Sequence, residues 1–253
     1  MNTDPNLFAE LGYVVLPRVF SSEEIADFRA AAIEDASHAG DVLSHPTLTS
    51  VVTDNRLLLA LRSIGIWPAR YFGDSSVSQE PGGYGFHRDN ADRFDGQAPD
   101  WCVEDYPLVR MAIYLQDYSS FGGGLEVIPR SHCSCAGPFE SPVYLSTAPG
   151  DLVIWNLRVL HTGYGGQHLP LQPAARIALF LTYARPCAAT TRYIAFLKTR
   201  TYQMEIWRHS VYRDQDVLHA AQRGLLVRDL RADLQGVPGL GQHSGYAPLP
   251  YVL

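Results

Sequence analysis

An imidazole and a carboxylate stand two residues apart in Gly85-Phe86-His87-Arg88-Asp89. On an extended segment, positions i and i+2 project to the same side, so His87 and Asp89 can reach one ion. A third imidazole from a distant strand would complete two histidines and one carboxylate on a single face of a metal. Such a set leaves the opposite coordination positions open, as non-haem iron(II) oxygenases require. With nine His and 17 Asp in 253 residues, chance alone gives ~0.6 His-x-Asp occurrences, so the pair needs its context to carry meaning.

The elements around the pair set that context. Gly12-Tyr13-Val14-Val15-Leu16-Pro17 reads as a short strand, and Ser21-Ser22-Glu23-Glu24 is a capping box that opens a helix running to about Ala36. A second helix is expected over Asn55 to Ile64. From about residue 70 to 185 short runs rich in Val, Ile, Tyr and Phe alternate with Gly, Pro and Asp turns. The candidate strands are Leu108–Tyr118, Leu125–Ile128, Val143–Ser146, Leu152–Trp155 and Arg176–Ala184, with turns at Gly122-Gly123-Gly124 and Pro149-Gly150-Asp151. Many short strands in a pair of sheets make a mainly β protein with flanking helices and a jelly-roll core. Beyond Pro186 a helical pattern returns over Gln215 to Leu234, followed by a Gly- and Pro-rich tail expected to pack outside the barrel.

Further segments fall in register with this plan. Gly123-Gly124-Leu125-Glu126-Val127-Ile128-Pro129-Arg130-Ser131-His132 follows one strand. Gly150-Asp151-Leu152-Val153-Ile154-Trp155 leads to Val159-Leu160-His161-Thr162-Gly163, and Ala175-Arg176-Ile177-Ala178-Leu179-Phe180 opens another strand. Together with the opening strand and helix, these segments resemble the phytanoyl-CoA dioxygenase family of iron(II)- and 2-oxoglutarate-dependent oxygenases, in order over about residues 8 to 186. The resemblance implies a double-stranded β-helix (cupin-like) core, with iron(II) as metal and 2-oxoglutarate as co-substrate. His87 and Asp89 match the first two iron ligands of the family and His161 the distal one. Arg176 matches the arginine that holds the far carboxylate of 2-oxoglutarate, a task suited to a planar guanidinium donating two parallel hydrogen bonds. Where the family places a small hydroxyl residue two positions after the distal histidine, this chain has Gly163, so Tyr114 or Thr162 is expected to supply that contact. The stretch from His161 to Arg176 also carries an extra loop, Gly165-Gly166-Gln167-His168-Leu169-Pro170. His132 matches a turn histidine and is expected to hydrogen-bond within its loop rather than to bind metal.

The implied activity is hydroxylation of a small molecule with release of succinate and CO2. Desaturation, cyclisation and epoxidation use the same ligands, whereas halogenases of related fold replace the carboxylate ligand that Asp89 supplies here. Arg88 and Arg110, if they point inward, favour a substrate with an anionic group; Asn90, Trp155 and Asn156 are further pocket candidates. A jelly-roll binding protein without catalysis is the alternative from another class, and it has no use for a co-substrate arginine.

Composition narrows the rest. A hydrophobic content of 46% and a charged content of 18% suffice for one large core. The expectation is one domain over 1–253, with N-terminal helices in 1–68, the jelly roll in 69–186 and a helical segment in 187–253. The net charge of −6 disfavours a nucleic-acid partner. No apolar run approaches the ~18 residues of a membrane span, and Met1 to Glu10 carries no basic residue, so neither a membrane nor a targeting role is expected. The four cysteines, Cys102, Cys133, Cys135 and Cys187, are expected to be free thiols of a cytoplasmic protein. Lys198 is the single lysine beside 19 arginines, so Schiff-base chemistry would rest on one side chain.

Overall fold

The computed structural model describes residues 5–78, 85–117, 124–163 and 177–230. Helix α1 (Pro5–Leu11) leads into strand β1 (Tyr13–Leu16), then α2 (Ser22–Glu34), α3 (Thr49–Val52) and α4 (Asn55–Ser63). The capping box at the start of α2 is formed: Glu24 N–H donates to Ser21 Oγ at 3.1 Å, and Ser21 N–H donates to Glu24 Oε2 at 2.8 Å. Strands β2 (Arg70–Ser78), β3 (Leu108–Tyr114), β4 (Leu125–Val127), β5 (Val143–Leu145), β6 (Leu152–Asn156), β7 (His161–Thr162) and β8 (Ala178–Ala184) follow. The chain continues through α5 (Ala188–Leu197), α6 (Thr201–His209), α7 (Asp214–Gln222) and β9 (Leu226–Val227).

Two sheets form. The larger has the order β1-β6-β3-β8-β2-β9, antiparallel except for the β2–β9 pair, and the smaller has the order β5-β4-β7. Strand alternation divides the large sheet cleanly. Val109, Met111 and Ile113 of β3, with Leu152, Ile154, Leu179 and Leu181, face a helical layer that includes Leu57, Leu58 and Leu61 of α4. Ala112, Tyr114, Val153, Trp155 and Ala178 point the other way and meet Leu125, Val127 and Leu145 of the small sheet. That second core is the inside of the jelly roll. Because side chains alternate along a strand, Arg110 shares the inner face with Ala112 and Tyr114, opposite Trp155 on one neighbour and Thr182 on the other.

Several expectations are corrected in detail. The helix expected over Gln215 to Leu234 stops at Gln222: Gly224 adopts φ +77°, the left-handed conformation that ends helices, and Leu226–Val227 then pairs with Arg70 and Tyr71. Residues 231–253 lie outside the described part. The strand expected to start at Arg176 starts at Ala178, and the one expected to reach Tyr118 ends at Tyr114. Strand β2 and helices α1, α5 and α6 were not legible. The boundaries at 68 and 186 do not bound the sheet either, since β1 pairs with β6 and β9 with β2. Among the described residues, no helix is long and apolar enough to cross a membrane, and all four cysteines are free.

The core carries a direct test. Leu181 is fully buried in the layer between sheet and helices. Leu181→Ala is expected to lower unfolding free energy by about 2–5 kcal/mol in urea titrations, whereas Leu59→Ala, on an exposed side chain, stays within about 0.5 kcal/mol.

Candidate metal centre

The segment bearing His87 and Asp89 is zipped to the strand bearing His161. His87 N–H donates to the His161 carbonyl at 2.9 Å, and His161 N–H donates back to the His87 carbonyl at 3.0 Å. Asp89 N–H then donates to the Leu157 carbonyl at 2.9 Å. This extended pairing puts both imidazoles and the carboxylate on one side, with the two rings 4.4 Å apart. Ligand atoms of all three lie within 4.8 Å of one another.

The tautomers are fixed by the backbone. His161 Nδ1–H donates to the Val159 carbonyl at 3.0 Å, and His87 Nδ1–H to the Gly85 carbonyl at 3.2 Å. Each ring therefore turns a bare Nε2 lone pair toward Asp89, the arrangement that outer partners impose on metal-binding histidines. His161 Nε2 stands 3.4 Å from Asp89 Oδ2, and His87 Nε2 stands 3.9 Å from Oδ1. Three ligands on one face of an ion at ~2.1 Å have edges of about 3 Å. The His161 edge is within a few tenths of that value; the His87 edge is looser, on a side chain 40% exposed.

Electrostatics favour the same state. Burial pushes the His161 imidazole down to about 4, so it is neutral at pH 7. Burial alone would raise the Asp89 carboxyl, but Arg110, His161, His87 and Arg200 outweigh it and hold the group well below the usual carboxylate range. Asp89 Oδ2 is nevertheless buried without a hydrogen-bond partner among the described residues, although Arg110 Nη1 lies 3.5 Å away. A buried anionic oxygen facing two imidazole nitrogens is a donor set that fits a cation. The donor set of two nitrogens and a carboxylate suits iron(II).

Arg110 is itself held in place. Its Nη2 donates to Asp74 Oδ2 at 2.9 Å and its Nε to Thr182 Oγ1 at 3.1 Å, while Tyr193 of α5 donates to the same Asp74 oxygen at 2.8 Å. Asp74 is aimed inward by an irregularity in β2 between Tyr71 and Ser75, where Gly73 adopts φ +73° and its carbonyl accepts from Gln203 and Trp207 of α6. Bulges commonly re-aim side chains in this way beside active sites. Asp74 and Tyr193 escaped sequence reading. The available signal was a carboxylate directly after Tyr71-Phe72-Gly73.

The remaining candidates sort by where they point. Arg88, between the two ligands, projects to the opposite side and donates to the carbonyls of Arg158, Ser131 and Ser134, so it serves the loops and not a substrate. Arg110 is committed to Asp74 and Thr182 beside Asp89, not offered outward. Asn90 is fully buried and donates to Asp100; Asn156 accepts from Arg158 N–H in the turn after β6. Trp155 lies inside the barrel 5.3 Å from the His161 ring, and its buried indole N–H has no partner among the described residues. Tyr114 and Thr162 are both buried, on β3 and β7. His132 lies apart from the cluster and donates through Nε2–H to the Ala9 carbonyl of α1, a longer reach than the expected bond within its loop. Arg176 falls outside the described residues.

No protein-family model matches this chain, and no curated protein does. Solved structures do. The non-haem alpha-ketoglutarate-dependent epimerase SnoN from nogalamycin biosynthesis aligns over 72% of this chain and 84% of its own, at 20% identity and a TM-score of 0.54. HygX from Streptomyces hygroscopicus, solved with nickel and 2-oxoglutarate, aligns over 71% and 84%, at 20% identity and a TM-score of 0.55. EctD from S. alaskensis, solved with 2-oxoglutarate and 5-hydroxyectoine, aligns over 71% and 74%, at 20% identity and a TM-score of 0.52. At this level of identity the likeness is one of architecture: the chain has the jelly-roll fold on which these 2-oxoglutarate-dependent enzymes are built.

Proposed function

We propose that this protein is an iron(II)- and 2-oxoglutarate-dependent oxygenase that hydroxylates a small molecule, releasing succinate and CO2. The observation that carries the reading is the convergence of His87, Asp89 and His161, with an orphaned carboxylate oxygen among them, on the fold of enzymes solved with 2-oxoglutarate. The four free thiols fit a reducing, cytoplasmic setting.

When bound, iron(II) and 2-oxoglutarate would activate dioxygen, one oxygen atom going to succinate as CO2 leaves and the other to the carbon whose C–H bond is broken. The chain's own residues prepare the place. The backbone pair between His87 and His161 fixes two ligands in mutual register, and the Gly85 and Val159 carbonyls, by accepting from Nδ1–H, leave Nε2 as the nitrogen each ring offers. Arg110, steadied by Asp74 and Tyr193, keeps Asp89 ionised in a buried setting. The packed interior between the two sheets excludes water from the reacting groups. In this reading Arg176 grips the far carboxylate of 2-oxoglutarate, with Tyr114 or Thr162 as a further donor. Trp155, with its unmatched N–H beside His161, lines the pocket.

Two outcomes are expected. His87→Ala, Asp89→Ala and His161→Ala should each weaken iron(II) binding at least about tenfold and abolish conversion of 2-oxoglutarate to succinate. His132→Ala should keep its iron. Near-normal turnover by Asp89→Ala would remove it from the ligand set.

Arg176→Ala should weaken apparent 2-oxoglutarate affinity by about 30-fold to several-thousand-fold, from the ~2–5 kcal/mol typical of losing a close charge pair. Arg176→Lys should recover only part, since an ammonium keeps the charge without the fork. Titration of 2-oxoglutarate against succinate formation measures both. Wild-type affinity in Arg176→Ala would assign the co-substrate to another residue. Arg158 and Arg185 are poor substitutes, because both already donate to backbone carbonyls.

A further inference from the structure

Two guanidinium groups from distant parts of the chain meet over one phenyl ring. Arg93, in the loop that follows Asp89, has its Cζ 4.9 Å from the centroid of Phe196 on α5, and Arg200, which precedes α6, has its Cζ 5.7 Å from the same centroid. Both side chains are partly buried. Other arginines near the site each donate within the protein: Arg88 and Arg158 to backbone carbonyls, Arg110 to Asp74, Arg192 to Asp100. Among the described residues, neither the Arg93 nor the Arg200 guanidinium donates a hydrogen bond or stands in an ion pair; their contacts are with aromatic rings.

A partly desolvated guanidinium without an acceptor is costly, and the two charges repel. Both nevertheless act on Asp89, and burial pulls the Arg93 guanidinium below its ordinary range. Asp74 and Asp89 already answer to Arg110 and the two histidines. Once a divalent ion occupies the centre, Asp89 has no charge to spare. The local balance then stays positive even after 2-oxoglutarate brings two negative charges.

We propose that Arg93 and Arg200, with Phe196 between them, form the anion subsite for the substrate. The substrate would be a small molecule carrying an oxyanion, carboxylate or phosphate, joined to an apolar body that rests on Phe196. This assignment rests on the oxygenase reading above and relocates the anion preference from Arg88 and Arg110 to residues with unspent donors.

The test uses full-length protein loaded with nickel(II) and 2-oxoglutarate, which does not turn over. Benzoate, phenyl phosphate and neutral benzamide serve as probes, with binding followed by ligand-observed NMR and calorimetry. Wild type should bind at least one of the two anions about tenfold or more tightly than benzamide, and the better anion distinguishes a carboxylate substrate from a phosphate one. Arg93→Gln and Arg200→Gln should each cut that preference by about 10- to 100-fold, the worth of one charge-assisted hydrogen bond, with benzamide binding unchanged. Arg93→Lys and Arg200→Lys should restore part of it. Arg62→Gln removes an exposed guanidinium that lies over Trp67 and should leave the preference intact. Absence of any preference in wild type, its survival in the Gln variants, or an equal loss in Arg62→Gln would overturn the proposal. Failure of the oxygenase reading shows separately, as nickel-loaded wild type that takes up no 2-oxoglutarate. The probe ratios are then measured on the metal-loaded protein alone and judge the subsite by the same criteria.

Discussion

Much of this structure follows from burying the carboxylate of Asp89. An ionised carboxylate withdrawn from water costs several kcal/mol unless it is paired, and Asp89 is only 8% exposed. The fold answers with a chain of contacts: Arg110 faces Asp89, Asp74 holds Arg110, and Tyr193 holds Asp74. Each member comes from a different element. The irregularity in β2 exists where Asp74 must turn inward, and α5 must pack against the barrel for Tyr193 to reach it. A site of three candidate ligands thus draws on β2 and β3 at its back and on α5 beyond Pro186.

The C-terminal helices therefore have two physical roles. Met204, Ile206 and Trp207 of α6, with Tyr193, Ile194 and Leu197 of α5, close an apolar cluster against Phe72, Leu108 and Ala184 at the barrel. The same packing carries Phe196 and Arg200 to the loop that follows Asp89. Anchoring and pocket building are thereby coupled, because a substitution that loosens α5 also releases the partner of Asp74.

The strands were largely legible because Val, Ile and aromatic runs between Gly, Pro and Asp turns mark short β elements, and the capping box marked α2 without ambiguity. The ligand pair was legible from its spacing, while the distal histidine was reached through resemblance to a family. What escaped has common causes. Helix α5 has no capping side chain at Cys187 and carries two β-branched threonines in its first turn, a weak start signal, and forms because Tyr193, Ile194 and Leu197 bury one face. Strand β2 is broken by Gly73-Asp74, so alternation fails where the bulge lies. Arg88 and Arg110 were candidates for an anion contact if they pointed inward, which sequence cannot show because it gives a charge but not its neighbours; the structure gives the first to backbone carbonyls and the second to Asp74.

The central claim is that His87, Asp89 and His161 hold iron(II) with positions left open for 2-oxoglutarate. The most direct measurement is anaerobic addition of iron(II) and then 2-oxoglutarate to the purified protein, followed by visible absorption spectroscopy. Chelation of the keto acid by iron in this site should give a weak charge-transfer band that saturates at one equivalent. Iron bound at wild-type stoichiometry with no band on adding 2-oxoglutarate would contradict the account.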